Sequence, residues 1–491
     1  MPETSKLVEP ITQEIVRVAV VVDAFSAGKL YAKEFNRQGI QCIHVVSKPG
    51  EFKHGSTINE DDFIERQTHY GVVADTVDSL KQYIANNNYE LVCVVPGSEC
   101  GVELADSLSE SLGMASTNGT ALSEARRNKY KMVEALQAKG VKTVSHFKST
   151  DVEEILLWID LNTDYPVVVK ALDSAGTNGV FVCHSADEVR FSYSQIFGVE
   201  NYMGKMNKEV LVQSYLHGIE YVVNTVSRNG QRYIVDLWEY RKQEVPGYGK
   251  IYDRDKLISF DGDIQDQLIA YNSQVLDALQ IQNGPSHAEI MMTPEGPVLV
   301  EVGARIGGGT NMDVSNQCVG LNAVQLSVAC YVNPDEFYNL VKDERKVTKF
   351  AMIVDLANKR SGLIEKLTLE EAVAKLPSYH SVSINVMVGD TLKPTIDIFS
   401  TLMSVQLVHE DPAQLEADYL AILEMAVANV VLKHDLDLRA QALFCATHEK
   451  KAGTNLYQFF KALHGQYDAK TSAAKPKEVM DKVFEYAGLR K

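Results

Sequence analysis

The first 120 or so residues alternate short apolar runs with stretches of helical spacing. The apolar runs predict buried strands, and the segments between them predict helices. The strands are predicted at 17–22, 40–46 and 90–95, and the helices at 29–38, 77–87 and 101–112. Strands and helices that alternate in this way form a parallel sheet covered by helices. The pattern therefore predicts an N-terminal parallel α/β domain over residues 1–122.

The pattern becomes β-rich after a helix predicted at 124–138, in which Lys129 would lie mid-helix. Asn229-Gly230 separates two apolar runs and predicts a tight hairpin. A second hairpin is predicted over 287–305, and a helix through 319–331. We expect a central domain at 123–334, divided into subdomains 123–208 and 209–334.

Two further units are predicted after the central domain. Strands alternate with helices at 369–375 and 412–432, which indicates a smaller C-terminal α/β domain over 335–435. The last stretch, 436–491, combines a polar linker with helical spacing. From Glu449 onward it holds nine basic and five acidic residues, a surplus of +4. We therefore expect a basic helical tail.

Composition excludes several classes of protein. With 491 residues, and ~150 residues per domain, about three domains are expected. The hydrophobic fraction of 45% excludes general disorder, and the net charge of −17 argues against nucleic acid as a partner. No apolar run approaches the ~18 residues of a membrane span, and no secretory signal is evident. Seven cysteines without a CxxC pair favour a reducing, cytoplasmic location.

The hairpin of 287–305 carries the strongest chemical signal. If its loop is the three residues Pro294-Glu295-Gly296, Glu289 faces Glu301, whereas a loop of even length would break this opposition. Two facing carboxylates either share a proton or hold a cation, and their hard oxygens suit Mg²⁺. Arg305 follows, and its guanidinium suits a phosphoryl group or an oxyanion. The alternative is a pair of solvated edge carboxylates.

A second signal runs from Lys170 to Gly179. A strand delivers Lys170 to a loop of small residues, which is not the GxxxxGK[ST] motif. The glycines allow backbone N–H groups to approach an anion, and the lysine supplies a point charge. A phosphate cradle and an ordinary hairpin are both compatible with this segment.

Weaker signals come from single polar residues, each with a structural alternative. Glu220 resumes an apolar strand after Gly218 and could bind a ribose, or mark a bulge. Glu99 follows a strand end and could hold a substrate amine, or stabilise a helix start. His287 could line the site or be a satisfied core histidine. Arg241-Lys242 precedes a glycine-rich stretch and could be a mobile cover over 241–256, or a solvated loop.

In this order, the features resemble the ATP-grasp superfamily over roughly residues 15–435, and most closely its L-amino-acid ligases, which make dipeptides. The segments that carry the resemblance are PGSECGVELADSLS, ARRNKYKM, YPVVVKALDSAGTNGV, VQSYLHGIEYVVNTVS with WEYRK, and GPSHAEIMMTPEGPVLVEVGARIGGG. The resemblance implies an α/β and α+β multidomain ATP-grasp fold: a parallel N-terminal domain, a central nucleotide-binding domain, a lid-like C-terminal α/β domain and a helical tail.

The resemblance also implies roles for individual residues. Lys129 and Lys170 would contact ATP phosphates, with the loop Ser174, Gly176, Thr177, Asn178 and Gly179 over the triphosphate. Gln213 and Leu216 would flank adenine, Glu220 would bind ribose, and Glu289 and Glu301 would hold Mg²⁺ or Mn²⁺. Arg305 would stabilise the intermediates, and Gly307, Gly308 and Gly309 would lie by the acceptor carboxylate. Many members of the superfamily have Asn where this chain has Gly303. This leaves the number of metal ions open.

The implied reaction joins a carboxylate to an amine through an acyl phosphate, with release of ADP and phosphate. Its substrates would be amino acids or small carboxylic acids, and a homodimer is compatible with the pattern. Two alternatives remain: a carboxylase or formyltransferase of the same fold, and a non-catalytic nucleotide-binding scaffold. The absence of an evident biotin-carrier lysine motif argues against a fused carboxylase.

Overall fold

The structure is a computed structural model that describes residues 15–48, 58–174, 179–201, 204–245, 249–308, 312–342, 345–395 and 400–433. Four predicted site residues, Gly176, Thr177, Asn178 and Gly309, lie outside the described residues, as does the predicted tail over 436–491.

The N-terminal unit is a parallel sheet of four strands in the order β3-β2-β1-β4, as the alternating pattern predicts. Its elements are β1 (Val16–Val22), α1 (Lys29–Arg37), β2 (Gln41–Val46), β3 (Glu65–Thr68), α2 (Val73–Asn86), β4 (Tyr89–Pro96) and α3 (Val102–Ser111). Alternate residues of β1 enter two separate apolar cores: Val18 and Val20 pack towards α2 and α3, and Ala19 and Val21 towards α1. Burial on both faces explains why these strands are continuous apolar runs.

The smaller central sheet has four strands in the order β5-β8-β6-β7. Its unit contains α4 (Lys129–Gln137), β5 (His146–Ser149), α5 (Val152–Asn162), β6 (Val167–Lys170), β7 (Val180–Cys183), α6 (Ala186–Ile196) and β8 (Val210–Ser214). The single helix predicted at 124–138 is interrupted. Asn128 caps α4 by accepting hydrogen bonds from the backbone N–H groups of Tyr130 and Lys131, so Lys129 is the first residue of a helix and not mid-helix.

An antiparallel sheet of eight strands, in the order β13-β12-β9-β10-β11-β14-β18-β16, forms the centre of the structure. Residues 219–340 form five of its strands and the helices that follow or separate them. These elements are β9 (Ile219–Arg228), β10 (Gln231–Val245), β11 (Gly249–Leu257), α7 (Asp263–Ala278), β12 (Gly284–Thr293), β13 (Gly296–Gly303), α8 (Met312–Val319), α9 (Ala323–Val332) and α10 (Pro334–Leu340). The predicted Asn229-Gly230 hairpin is confirmed, with both residues at positive φ. The helix predicted through 319–331 is interrupted by Gly320, whose φ is 79°.

The elements after residue 345 partly extend this same sheet. They are β14 (Phe350–Leu356), β15 (Gly362–Leu367), α11 (Leu369–Val373), β16 (Tyr379–Ile384), β17 (Thr391–Leu392), β18 (Met403–His409), α12 (Pro412–Asn429) and β19 (Val430–Lys433). β14 pairs with β11, whereas β15, β17 and β19 form a separate sheet. The helix predicted to reach 432 ends at Asn429, because Val430 and Val431 pair with β15 instead.

Cores link these units across the chain. The core below Ala19 and Val21 contains residues of α9 and α10, among them Leu326 and Phe337, so late helices cover one face of the first sheet. Among the described helices, none combines the length and the apolarity that a membrane crossing requires.

Candidate active site

Glu289 and Glu301 lie opposite each other on β12 and β13, as predicted, but by a different route. The turn has two residues, Pro294 and Glu295, because Thr293 pairs with Gly296; the predicted three-residue loop is wrong. A bulge then shifts the register between Ile290–Leu299 and Glu289–Glu301, leaving Val300 without a counterpart. A bulge adds one residue to one strand. It therefore restores the opposition that the even-length turn would have broken.

The environment of this pair favours the ionised form of Glu289. Burial alone would raise the pKa of the Glu289 carboxyl, but the nearby His287 ring and the charge of Lys242 hold this pKa below its usual range. Glu301 is half-buried and pairs with Lys129, with 2.7 Å between Oε2 and Nζ. Within the described ranges no third His, Cys, Asp or Glu joins the pair to form a metal-binding cluster. Two carboxylates fit a Mg²⁺ ion whose other ligands are phosphate oxygens and water.

Two buried lysines face the carboxylate pair from the unit of the smaller sheet: Lys129 begins α4 and Lys170 ends β6. The Lys129 Nζ also donates a hydrogen bond to the Ser174 carbonyl oxygen, at 2.7 Å, at the start of the glycine loop. Lys170 ends β6, and burial together with the nearby charge of Lys129 lowers its pKa to about 8. An ammonium group held in this way gains stability when an anion binds beside it. The pair is thus suited to phosphates, as predicted from the sequence.

The predicted adenine and ribose residues lie on β8, on β9 and in the short segment between them. Gln213 is buried on β8, and Leu216 packs against the small core of Val133, Val144 and Val298. The break between the strands requires Gly218, because a Cβ there would lie 2.1 Å from the Met292 carbonyl oxygen. This close backbone approach is the physical basis of the interruption seen in the sequence.

Glu220 is paired within the protein. Its Oε1 lies 2.6 Å from the Nζ of Lys242, which also lies over the ring of Tyr252. Burial raises the pKa of Glu220, and Lys242 opposes this shift. The segment predicted as a mobile cover or solvated loop over 241–256 is instead made of the paired arms of β10 and β11, apart from 246–248, which lie outside the described residues. Both arms are mostly polar, RKQEV in β10 and KIYDRDK in β11, so no alternation of apolar and polar residues predicts them as strands.

Glu99 lies beyond the end of β4, where its carboxylate binds two guanidinium groups. Its Oε2 lies 2.7 Å from Arg305 Nε in an ion pair, and its Oε1 accepts a hydrogen bond from Arg127 Nη1. Burial would raise the pKa of Glu99, but these charges lower it to about 2. A Cβ on residue 303 would lie 2.7 Å from Glu99 Oε2 and 3.0 Å from Arg305 Cζ, so a side chain in place of Gly303 would displace one end of this ion pair. Where many superfamily members have Asn, this chain has glycine with the Glu99–Arg305 pair beside it.

His287 belongs to a chain of hydrogen bonds that sequence reasoning missed. Its Nδ1 lies 2.7 Å from Asn224 Oδ1, and Asn224 Nδ2 donates to Asp236 Oδ1 at 2.6 Å. Ser315 on α8 donates to the other oxygen of Asp236. The other ring nitrogen, Nε2, lies 3.7 Å from Glu289 Oε1. His287 therefore has a satisfied side and a side towards the carboxylate pair. Its partners come from separate strands and one helix, so no short sequence motif predicts this chain of hydrogen bonds.

The loop after Arg305 approaches the N-terminal unit. Gly307 is buried, and the carbonyl oxygen of Gly308 accepts from Ser26 Oγ at 3.4 Å. A Cβ on Gly308 would lie 3.0 Å from this hydroxyl oxygen. A side chain at position 308 would therefore press on the Ser26 hydroxyl in the turn after β1.

Facing acidic residues on a hairpin, two lysines from a neighbouring unit and an arginine four residues past the second acid are features of an ATP-grasp protein. An ATP-grasp domain model matches residues 163–313. Dapdiamide A synthase from Enterobacter agglomerans is 31% identical over 402 residues, which covers 81% of this chain and 93% of that protein.

Two further relatives agree with this assignment. An L-arginine-specific L-amino acid ligase from Bacillus subtilis is 25% identical over 268 residues, or 54% of this chain and 62% of the relative. The crystal structure of an L-amino acid ligase from Bacillus licheniformis matches with a TM-score of 0.66 at 17% identity, covering 86% of this chain and 100% of that one. The chain belongs to the ATP-grasp superfamily, in its group of L-amino-acid ligases.

Proposed function

We propose that this protein uses ATP to join the carboxylate of an amino acid or small carboxylic acid to the amine of an amino acid. The observation that carries the proposal is the placement of Lys129 between the Glu289–Glu301 pair and the carbonyl of Ser174. It brings phosphate-binding and metal-binding groups together at the base of the glycine loop.

The reaction has two steps. A substrate carboxylate oxygen attacks the γ-phosphorus of ATP, the bond to the β-phosphate oxygen breaks, and ADP leaves. The amine then attacks the acyl carbon of the acyl phosphate, the C–O bond to phosphate breaks, and the amine gives up a proton. Activation is required because a free carboxylate is a poor electrophile. Positioning and electrostatics supply most of the rate enhancement in such transfers.

The residues of the site divide this work. Lys129 and Lys170 bind the phosphates, and Gln213, Leu216 and Glu220 bind the nucleoside, with the loop from Ser174 to Gly179 over the triphosphate. Glu289 and Glu301 hold Mg²⁺, which when bound neutralises charge on the phosphate oxygens. Mn²⁺ has the same preference for oxygen ligands.

The acyl end of the site is formed by Arg305 and its neighbours. Arg305 stabilises the negative charge of the acyl phosphate and of the tetrahedral intermediate. The glycines at 307–309 lie beside the acceptor carboxylate, and His287 lines the site near Glu289. Glu99 was predicted to hold a substrate amine; its two arginine partners indicate that it also orients Arg305.

Other predictions stay open to test. The domain boundaries at 122, 334 and 435 and a cytoplasmic location are proposals supported by the sequence pattern, and a homodimer is a proposal that the sequence pattern leaves open.

A screen of substrates tests the proposed function. ATP-dependent phosphate release would be measured across pairs of the twenty amino acids, arginine included, with mass spectrometry of the products. We expect at least one pair to give one amide per ADP. Release that depends on bicarbonate or formate would instead favour the carboxylase or formyltransferase alternative. No ADP with any acceptor pair would favour the non-catalytic scaffold.

A further inference from the structure

Arg127 joins two acidic side chains that belong to different parts of the site. It lies just before α4, and only 3% of its side chain is exposed. Its Nη1 donates to Glu99 Oε1, and its Nη2 donates to Asp173 Oδ1 at 2.5 Å. A guanidinium group suits this arrangement, because its donors form a rigid planar fork and its charge persists when buried.

These contacts continue on both sides of Arg127. On one side, Glu99 Oε2 lies 2.7 Å from Arg305 Nε; on the other, Asp173 Oδ2 lies 2.5 Å from Lys205 Nζ. We call the five residues Arg305, Glu99, Arg127, Asp173 and Lys205 the ion-pair chain. Their charges alternate from one end to the other.

The ion-pair chain connects the acyl end of the site to the phosphate end. Asp173 directly precedes Ser174, whose carbonyl oxygen accepts from Lys129. Asn201 Nδ2 also donates to the carbonyl oxygen of Asp173, so the backbone is held here as well. Movement at Arg127 would therefore be transmitted to the glycine loop and to Arg305 together.

Close backbone packing fixes the position of Glu99. A Cβ on Gly101 would lie 2.5 Å from the Val22 carbonyl oxygen, and one on Gly97 would lie 2.6 Å from the Asp23 carbonyl oxygen. The turn that carries Glu99 is thus held against the end of β1. The Glu99 carboxylate that binds Arg127 therefore has little freedom to move.

We propose that Arg127 is a positioning residue that sets the distance between the nucleotide's phosphates and Arg305. Through Asp173 it holds the base of the glycine loop, and through Glu99 it holds the guanidinium that faces the acyl phosphate. This inference rests on the proposed ligase function. Without Arg127 the acyl phosphate still forms, but its acyl group is poorly placed for the amine. Water then attacks the acyl carbon, the C–O bond to phosphate breaks, and the free carboxylate and inorganic phosphate result.

The test is the ratio of ADP to amide in Arg127→Met and Arg127→Lys, with Arg190→Met as the matched control. Arg190 also pairs with a carboxylate, Glu153, but on the exposed surface of the same subdomain and away from the ion-pair chain. We expect Arg127→Met to lower the kcat for amide by about 100-fold and to raise the ADP-to-amide ratio by about tenfold, because small misplacements at a reacting centre have effects of this order. Arg127→Lys keeps the charge but loses the fork, so it should fall between these values.

A merely structural role predicts a different result. It would lower ADP and amide formation equally, leaving the ratio near the wild-type value, and such a result would overturn the inference. If Arg127→Met does not fold, as judged by its melting transition, Arg127→Lys and Asp173→Asn keep the question decidable through the same ratio. An unchanged ratio in both folded variants overturns the inference while leaving the ligase function intact. A wild-type protein that makes no amide from any pair overturns both.

Discussion

The phosphate end and the acyl end of this site use charge in different ways. At the phosphate end, Lys129 pairs with Glu301, which keeps a quarter of its side chain exposed. A nucleotide and a metal ion would replace these partners with their own charges. At the acyl end, Glu99 pairs with Arg305 and with Arg127, whose side chain is almost fully enclosed. Truncating one partner of a buried ion pair leaves the other charge uncompensated, so such a network resists exchange. The charged groups at the phosphate end can thus exchange their partners for ligands, whereas those at the acyl end keep theirs.

The largest expected effect comes from removing a charge at the phosphate end. Glu301→Gln should lower amide formation by more than about 1,000-fold with an unchanged melting temperature, because a metal-supported phosphoryl transfer loses several kcal/mol of charge stabilisation. Steady-state assays of ADP and amide measure this. Glu295→Gln, in the turn of the same hairpin, is the control and should behave as wild type. Comparable rates in both variants would remove the proposed metal site.

Arg305→Ala tests the acyl end directly. We expect ATP affinity to change little and amide formation to fall by about 100- to 1,000-fold, the range seen when one stabiliser of an oxyanion is removed. Nucleotide binding by calorimetry and product yield by mass spectrometry separate the two effects. An unaltered yield would contradict the role assigned to Arg305.

A smaller effect is expected from replacing Lys129, the internal cation that pairs with Glu301. Lys129→Met should bind Mn²⁺ several-fold more tightly than wild type when no nucleotide is present, since Glu301 loses an internal cation. ATP affinity should fall by about tenfold because a phosphate contact is lost. Electron paramagnetic resonance of free Mn²⁺ gives the first value. Weaker Mn²⁺ binding in the variant would mean that Lys129 and the metal do not compete.

The smallest effect is a proton taken up on nucleotide binding. The pKa of Lys170 is lowered from 10.5 to about 8 in the folded protein, so between these values the unfolded chain binds more protons, and this group's contribution to stability rises with pH. ATP phosphates favour the charged ammonium and raise the pKa again. ATP affinity should therefore decline above about pH 8, with up to one proton taken up near that pH. Calorimetry in buffers of different ionisation enthalpy measures the uptake, and Lys170→Met should abolish it.

Sequence reasoning found the residues whose signal is local. Glu289, Glu301 and Arg305 share one hairpin and its continuation, and Lys170 ends a recognisable strand. The predicted three-residue turn is wrong, but Glu289 still faces Glu301 because the bulge at Val300 restores the register. Nothing in the sequence predicts a bulge there. Asn128 carried a usable signal, since Asn directly before a helical run predicts an N-cap and would have placed Lys129 at the helix start.

Other features depend on contacts between distant parts of the chain. Arg127 lies 28 residues from Glu99 and 46 from Asp173, and their meeting depends on how two units pack. The extension of the central sheet likewise joins β11 to β14, whose residues lie about 100 positions apart. Periodicity predicts that a strand exists but does not choose its neighbour. The ion-pair chain and the eight-stranded sheet therefore required the structure.

The cover that α9 and α10 provide for the first sheet has a consequence for synthesis. Tyr31 and Phe35 of α1 share a core with Leu326 and Phe337, which leave the ribosome some 300 residues later. Until then a nascent chain presents part of an apolar surface to the cell, where it invites association with other chains. Chaperones would meet this protein at that stage, and an isolated fragment ending near residue 122 should aggregate unless its apolar face is made polar.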